Sequence, residues 1–330
     1  MKSKHAVSVL YSLLLSTLLF LAALPAHATF PGVNGRIAFG RYNPAIDGWQ
    51  LYTANPDGTD VHPLTFVSSG FSDWRADGKR IAFDFFDYDG NEQIATINPD
   101  GSGMEQITFG SGIHEVPSWS PTGTRIAFDY SPLLPDDPSF STSIFVMNSD
   151  GSNPHAVTTG GFDVEPSFSP DGTRIAFSRI RKVAGNGFQQ EAIFVVNADG
   201  SNLQQLTAGG IAEEHPHWSP DSQWIVFNVA KESGHPSGSN NGIYLMRPDG
   251  TEQHLLWNGR TNQRANLSGA HKANFSPDGK KILFGCWSFT NQSNDICVMD
   301  VDGTNAIDII STPDLDENFP SWGVAAGGPH

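Results

Sequence analysis

One pattern recurs six times along the chain and restricts its fold more than any other feature. Arg-Ile-Ala-Phe begins at Arg36, Arg80, Arg125 and Arg174, with the variants Trp-Ile-Val-Phe at Trp224 and Lys-Ile-Leu-Phe at Lys281, 44 to 57 residues apart. A second mark, Asn/Asp/Arg-x-Asp-Gly-Ser/Thr, places its glycine at Gly58, Gly101, Gly151, Gly200, Gly250 and Gly303. A third, aromatic-Ser-Pro-Asp-Gly or a worn form of it, begins at Trp74, Trp119, Phe168, Trp218 and Phe275. A period of about 50 residues signals copies of one supersecondary unit, and that length suits a four-stranded blade.

Within a unit the period is two. Ile175 and Phe177 share one face of their segment, and Ile193 to Val196 reads as a more fully buried strand. Asp-Gly pairs between such runs supply the positive backbone angles of tight hairpins. Unit four is therefore expected as strands Glu165–Ser169, Thr173–Ser178, Ala192–Asn197 and Leu203–Thr207, called a to d here. With 34 Gly and 22 Pro and only 16% charged residues, long helices have little room, while 38% hydrophobic residues suffice for a large core.

The two ends of the repeat complement each other. Unit one begins at Asn34-Gly35-Arg36-Ile37, directly at strand b, and the chain ends in Asn318-Phe319-Pro320-Ser321-Trp322-Gly323 with no strand b after it. The tail thus supplies the missing first strand, closing a ring and hiding edges that an open array would expose. The expected architecture is all-β: a six-bladed β-propeller of four-stranded antiparallel blades over residues 34–324. Blade one is completed by 316–324, a short lead spans 29–33, and a flexible tail spans 325–330.

The first 28 residues read as an export signal. Lys2 and Lys4 precede an apolar run from Val7 to Leu24, followed by Pro25 and the small-x-small triplet Ala26-His27-Ala28. No cysteine follows the cleavage point, so no lipid attachment is expected, and the mature chain is expected to be periplasmic or secreted, without membrane insertion, and monomeric. The 19 Lys and Arg against 35 Asp and Glu give a net charge of −16, and cleavage removes two lysines and no acid. Such a balance has no basic footprint for nucleic acid and favours a basic partner.

Residues 117–128 read Pro-Ser-Trp-Ser-Pro-Thr-Gly-Thr-Arg-Ile-Ala-Phe and 166–177 read Pro-Ser-Phe-Ser-Pro-Asp-Gly-Thr-Arg-Ile-Ala-Phe, each followed by an Asn-x-Asp-Gly-Ser turn. Over about residues 34 to 323 they resemble the WD40-like repeats of TolB-type six-bladed propellers. The resemblance implies a propeller without chemistry of its own that binds an envelope-associated protein or peptide. The α/β domain that precedes the propeller in the family member of the Tol-Pal system is not expected between Ala28 and Asn34. The repeats are also similar to the propellers of tricorn and prolyl-oligopeptidase-type peptidases, whose separate catalytic domain is likewise not expected. A seven-bladed oligogalacturonate lyase uses related repeats with a metal held by histidines at the channel mouth, which keeps an enzyme in play.

In a propeller the short Asp-Gly turns share one face, and the longer b-c and d-a connections open on the other, where scaffolds carry binding groups. The b-c connections are expected at Gly40–Gly48, Asp84–Glu92, Asp129–Thr142, Ser178–Glu191, Asn228–Asn241 and Gly285–Asp295. Aligning the strands that line the channel gives a tier of Ser69, His114, Asp163, Glu213, Ala270 and Glu317. The next holds Gly70, Glu115, Val164, Glu214, His271 and Asn318, and a third holds Phe71, Val116, Glu165, His215, Lys272 and Phe319, with Asp73 and His217 two positions further in. The candidate ligand-binding residues at the channel mouth are therefore His114, Glu115, Asp163, Glu165, Glu213, Glu214, His215, His217, His271 and Glu317. They suit hydrogen bonding to loop amides and neighbouring blades, a divalent cation held by His215, His217, His271 and Glu214, or a general base at Glu214. No other cofactor is expected. The cluster lacks the His-Glu-x-x-His spacing of a helical zinc site.

Asp87-Tyr88-Asp89-Gly90-Asn91-Glu92 fails the calcium-loop spacing and reads as a solvated hairpin turn. Cys286 and Cys297 fall in adjacent strands of unit six and, with a loop from Phe289 to Asn294, would lie opposite each other within disulfide reach. A one-residue register shift would instead put them on opposite faces. No Gly-x-Ser-x-Gly elbow or phosphate loop is present. Trp49, Trp257 and Trp287 lie outside the repeat and suit either core packing or stacking on a sugar or peptide. Three functions follow: an exported, non-catalytic propeller binding a protein, peptide or glycan through its long-loop face and acidic mouth, a metal-dependent lyase or hydrolase using the His/Glu cluster, or a purely structural component of the envelope.

Overall fold

The computed structural model describes residues 32–132, 141–182, 189–209, 212–230, 242–258 and 267–326. The expected signal at 1–28, residues 29–31 of the lead, the last four residues of the tail and parts of five connections lie outside them.

Among the described residues the regular elements are all β-strands. Unit one holds β1 (Asn34–Asn43), β2 (Gly48–Ala54) and β3 (His62–Pro63). Unit two holds β4 (Ser69–Trp74), β5 (Ile81–Phe86), β6 (Glu92–Ile97) and β7 (Glu105–Gln106), and unit three β8 (Ile113–Trp119), β9 (Arg125–Ser131), β10 (Ser143–Asn148) and β11 (His155–Ala156). Unit four follows with β12 (Phe162–Phe168), β13 (Arg174–Lys182), β14 (Gln189–Asn197) and β15 (Gln204–Gln205). Unit five has β16 (Ala212–Trp218), β17 (Ile225–Ala230), β18 (Gly242–Met246) and β19 (His254–Trp257). Unit six has β20 (Leu267–Phe275), β21 (Lys281–Ser288), β22 (Ser293–Asp300) and β23 (Ile307–Ile310), before the last strand, β24 (Glu317–Val324). Four separate four-stranded blades form, with one eight-stranded sheet in which a single parallel bridge, Glu92 to Ile113, joins units two and three. In the first blade the order is β24-β1-β2-β3, with Ile37 opposite Trp322 and Arg41 opposite Glu317. The C-terminal strand thus completes the opening blade.

Both faces of each sheet are buried, which explains the composition of the repeat. In Arg-Ile-Ala-Phe the Ile and Phe pack against the preceding unit, while the alanine receives the aromatic residue of the next. Ile81 and Phe83 share a cluster with Leu51 and Leu64, whereas Ala82 sits with Trp119 and Phe128. A further cluster joins Ile37, Phe39 and Ala54 of unit one to Leu283, Ile296 and Ile310 of unit six, so the ring closes through the same contact that links its consecutive members. The Asp-Gly turns repeat this head-to-tail logic. Gly58 has φ of 80°, and a Cβ there would lie 1.8 Å from the carbonyl oxygen of Ile309. Only glycine tolerates both the left-handed backbone and that approach. Within the turn Asp57 accepts hydrogen bonds from the Thr59 amide at 3.0 Å and the Thr59 hydroxyl at 2.6 Å.

The strands of the b-c hairpins are longer than the repeat alone implies. In unit four the segment Ser178–Glu191, expected as a connection, carries ladder pairs out to Lys182 opposite Gln189. Strand d is correspondingly short, two residues instead of the expected Leu203–Thr207. In unit six the pairing places Cys286 opposite Asp295 and Cys297 opposite Phe284. The two cysteines are therefore diagonal rather than directly opposite. A two-residue offset preserves the sheet face, and they form a disulfide with Cα atoms 5.9 Å apart, buried in the core between units five and six. Trp257 is a core residue as well.

Candidate functional site

The channel is shaped by a bulge that recurs in its innermost strands. Pairing of β4, β8, β12, β16 and β20 with the following strand breaks before Ser72, Ser118, Ser167, His217 and Asn274 respectively, and the β24 pairing breaks likewise between Asn318 and Ser321. Inside these bulges Val116, Glu165, His215, Lys272 and Phe319 take positive φ, between 46° and 61°. Pro117, Pro166, Pro216 and Pro320 follow four of them, and a bulge is where a sheet accommodates a residue that cannot donate.

These bulge residues converge on the axis. The rings of Phe71 and Phe319 lie 4.4 Å apart, and the His215 ring stands 6.0 Å from Phe71. The Lys272 ammonium sits 4.9 Å from the Phe71 ring and donates to the Ser72 carbonyl at 3.3 Å. His215 Nδ1 is 3.1 Å from Glu165, whose other oxygen accepts the His215 amide at 2.7 Å. Burial pulls the Lys272 ammonium down to about 8 against the attraction of Asp73, Asp84 and Glu165. Burial likewise raises Asp73 to about 6 and Asp84 to about 7. Asp84 accepts the amides of Gly70 and Phe71 in its own unit and of Val116 in the next, and Asp73 accepts that of Trp119 at 2.7 Å. These carboxylates tie neighbouring units together.

Several residues expected at the mouth are engaged elsewhere. Asp163 makes a two-pronged pair with Arg179, at 2.5 Å and 2.8 Å, and Glu317 pairs with Arg41 at 3.0 Å; both carboxylates are fully buried. Glu213 accepts the Gly209 amide, and His114 contacts the Glu92 carbonyl while packing 4.6 Å from the Tyr130 ring. His215 is committed to Glu165, and burial lowers the pKa of His215 and His271. His217 is drawn down to about 4 by burial, and its Nδ1 is sequestered without a partner. Among the described residues no group of three or more His, Cys, Asp or Glu is placed to hold a metal, so the set His215, His217, His271 and Glu214 is not assembled as a cation site.

What does assemble is an arc of carboxylates. Glu115 is the cross-strand partner of Asp129 and hydrogen-bonds Glu92; Glu165, Glu191 and Glu214 act on one another further round. Burial, then the neighbouring carboxylates, push Glu92 up to about 10, Glu191 to about 9 and Glu214 to about 8, and hold Asp129 well above its usual range. One oxygen of Asp129 is buried without a partner. Sequence reasoning found Glu115, Glu165 and Glu214 but missed Glu92, Asp129 and Glu191. Asp129 follows Arg-Ile-Ala-Phe directly, and its pairing with the second tier was the available signal.

The opposite end of the channel is not merely a set of turns, as the sequence suggested. The repeat aromatics Trp74, Trp119, Phe168, Trp218, Phe275 and Trp322 line a cavity of about 70 Å³ there, with Asp73 and His217 also in its wall. A second space of about 40 Å³ continues past Asp73 and His217 to Glu165, His215 and Lys272. Each holds at most a few waters.

A family model described as the TolB beta propeller domain matches residues 161–326. No curated protein matches the sequence significantly. Among solved structures, TolB from Acinetobacter baumannii is 21% identical with a TM-score of 0.68, covering 87% of this chain and 66% of that one. The putative TolB from Agrobacterium tumefaciens is 18% identical with a TM-score of 0.60, covering 87% and 98%. Hydrazine synthase from Kuenenia stuttgartiensis is 16% identical with a TM-score of 0.70, covering 91% and 48%. The chain thus spans just under two thirds of the first of these proteins and about half of the last, and at such identities the likeness is one of fold.

Proposed function

The chain belongs to the TolB β-propeller family, and from that premise we propose that it is an exported, non-catalytic, monomeric propeller that binds a protein or peptide partner at its channel mouth. The acidic arc receives a basic group of that partner. The observation that carries this reading is the Glu92-Glu115-Asp129 cluster, in which carboxylates crowd one another and an oxygen of Asp129 lacks any partner. Such a site is costly empty and gains from an incoming ammonium or guanidinium. The net charge of −16 would steer a basic segment toward the chain, with strong salt dependence. The lyase or hydrolase reading has no donor set among the described residues.

Calorimetric titration with a short peptide carrying a single lysine or arginine tests the proposal. Binding is expected to weaken about tenfold or more in Glu92→Gln/Asp129→Asn. It should persist in Glu105→Gln/Asp308→Asn, which replaces as many carboxyl groups at exposed positions. Equal binding by the two double variants would reduce the arc to bulk charge and refute the assignment.

A further inference from the structure

On the long-loop face of unit two, away from the channel, a groove of about 410 Å³ is formed by Asp87, Tyr88, Asp89, Asn91, Gln106 and Phe109. Tyr88 is fully exposed and Phe109 is 71% exposed, an unusual outlay of aromatic surface for two residues sharing one depression. The backbone that presents them is held firmly. Asp87 accepts the amides of Asp89 and Asn91, both at 2.9 Å, and closes its turn through the Gly90 amide to its own carbonyl at 3.1 Å. On the other wall the Gln93 side chain donates to the Gly110 carbonyl at 2.7 Å, and Gln106 donates to that of Thr108 at 2.8 Å. The backbone beneath the two rings needs no ordering before they can bind, which removes one cost of association.

The chemistry of the wall selects the occupant. Among the described residues no lysine or arginine lines it, so a phosphate or an acidic sugar finds no counter-charge and meets Asp87 and Asp89 instead. Among the described residues no Leu, Ile, Val or Met lines it, so an aliphatic peptide anchor finds no apolar pocket there; Gly110 and Ser111 complete the described wall. What remains is two aromatic faces beside carboxylate and amide groups whose planar acceptors and donors match adjacent hydroxyls. We infer that this groove is a binding site for a neutral pyranose unit, stacked through its C–H face on Tyr88 or Phe109 and hydrogen-bonded by Asp89, Gln106 and the Tyr88 hydroxyl. The site is independent of the acidic arc, so either can fail without the other.

The test is titration of the whole chain, followed by saturation-transfer NMR, with neutral hexasaccharides of the malto, cello, chito and manno series and with hexagalacturonate as the charged counterpart. At least one neutral hexamer is expected to bind, and Tyr88→Ala and Phe109→Ala are each expected to weaken it by up to about tenfold. Tyr88→Phe should retain more affinity than Tyr88→Ala. Both aromatic side chains are exposed, so thermal melts of these variants should match the parent, and a shared melt confirms that lost binding is not lost fold. Three results would overturn the site. They are no neutral sugar bound at about 10 mM, well above weak-binding range, binding indifferent to both alanine variants, and hexagalacturonate bound as tightly as any neutral sugar. A peptide captured through Tyr88 and Phe109 where no sugar binds would reassign the groove to a protein.

Discussion

Replacing Arg179 by methionine removes the partner of a carboxylate that sees no water. Asp163 has no exposed side-chain surface, and both of its oxygens are held by Arg179, at 2.5 Å and 2.8 Å. Methionine keeps an unbranched apolar stem, so the substitution deletes the guanidinium, with its charge and its position over the rings of Phe177 and Phe194. Breaking a buried pair from one side costs about 3–5 kcal/mol, because the remaining charge stays desolvated, whereas replacing both partners with packing residues is close to neutral. The repeat supplies the replacement. At this cross-strand position unit two carries Ser69 opposite Phe85, where unit four carries Asp163 opposite Arg179. Urea titration should therefore show Arg179→Met losing about 3–5 kcal/mol at unchanged slope, and Asp163→Ser/Arg179→Phe recovering to within about 1 kcal/mol of the parent. A loss under about 1 kcal/mol for the single variant, typical of a surface pair, would refute the reasoning. So would a double variant as unstable as the single.

Three further outcomes follow from the same geometry. Removing residues 317–330 strips β24 from β1 and withdraws Trp322 from the closing core, so calorimetry should show a much lower and less cooperative melt; a parental profile would contradict ring closure. Glu92, Glu191 and Glu214 keep their protons in the fold to about 10, 9 and 8, while the unfolded chain releases them near 4.5. The folded state then holds more protons between about pH 7 and 8, where unfolded histidine is mostly neutral, so stability should fall as pH rises by up to about 1.4 kcal/mol per pH unit for each such group. Glu92→Gln should flatten that slope, and a flat or rising parental profile would count against the arc. Titrating the denatured chain for thiols without reductant should find none at Cys286 and Cys297, and Cys286→Ala/Cys297→Ala should lose about 3 kcal/mol, the scale of a short closed loop.

The blade pattern was legible because it rests on short-range rules repeated along the chain. Ile and Phe two apart, an alanine between them and an Asp-Gly turn are sufficient to define strands buried on both faces and the hairpins that join them. The complementary ends, Asn34 without a preceding aromatic strand and Trp322 without a following one, identified the closing strand. Register was harder. Counting inward from an assumed loop placed Cys286 opposite Cys297, whereas the hairpin turns at Phe289–Gln292 and pairs Cys286 with Asp295. The disulfide forms nonetheless because an offset of two keeps the face.

The site was legible only in part. Listing His and Glu by tier brought Glu115, Glu165, Glu214 and His215 to the channel, yet it could not say which charges would be cancelled by neighbours. Arg41 and Arg179 stand two residues beyond the conserved phenylalanine of their repeats and absorb Glu317 and Asp163, a pairing visible only once the cross-strand register is known.

Taken alone, the order of residues decided that this chain makes antiparallel blades and joins its ends, since side-chain period and turn chemistry are local and recur with every unit. Tertiary structure decided the electrostatics of the channel. Bulges before Pro117, Pro166 and Pro216 turn single side chains toward the axis, and residues some fifty positions apart become neighbours in a medium that screens poorly. Whether a carboxylate there is paired, protonated or left waiting for a cation depends on what the other blades bring within a few ångströms, and no single segment carries that information.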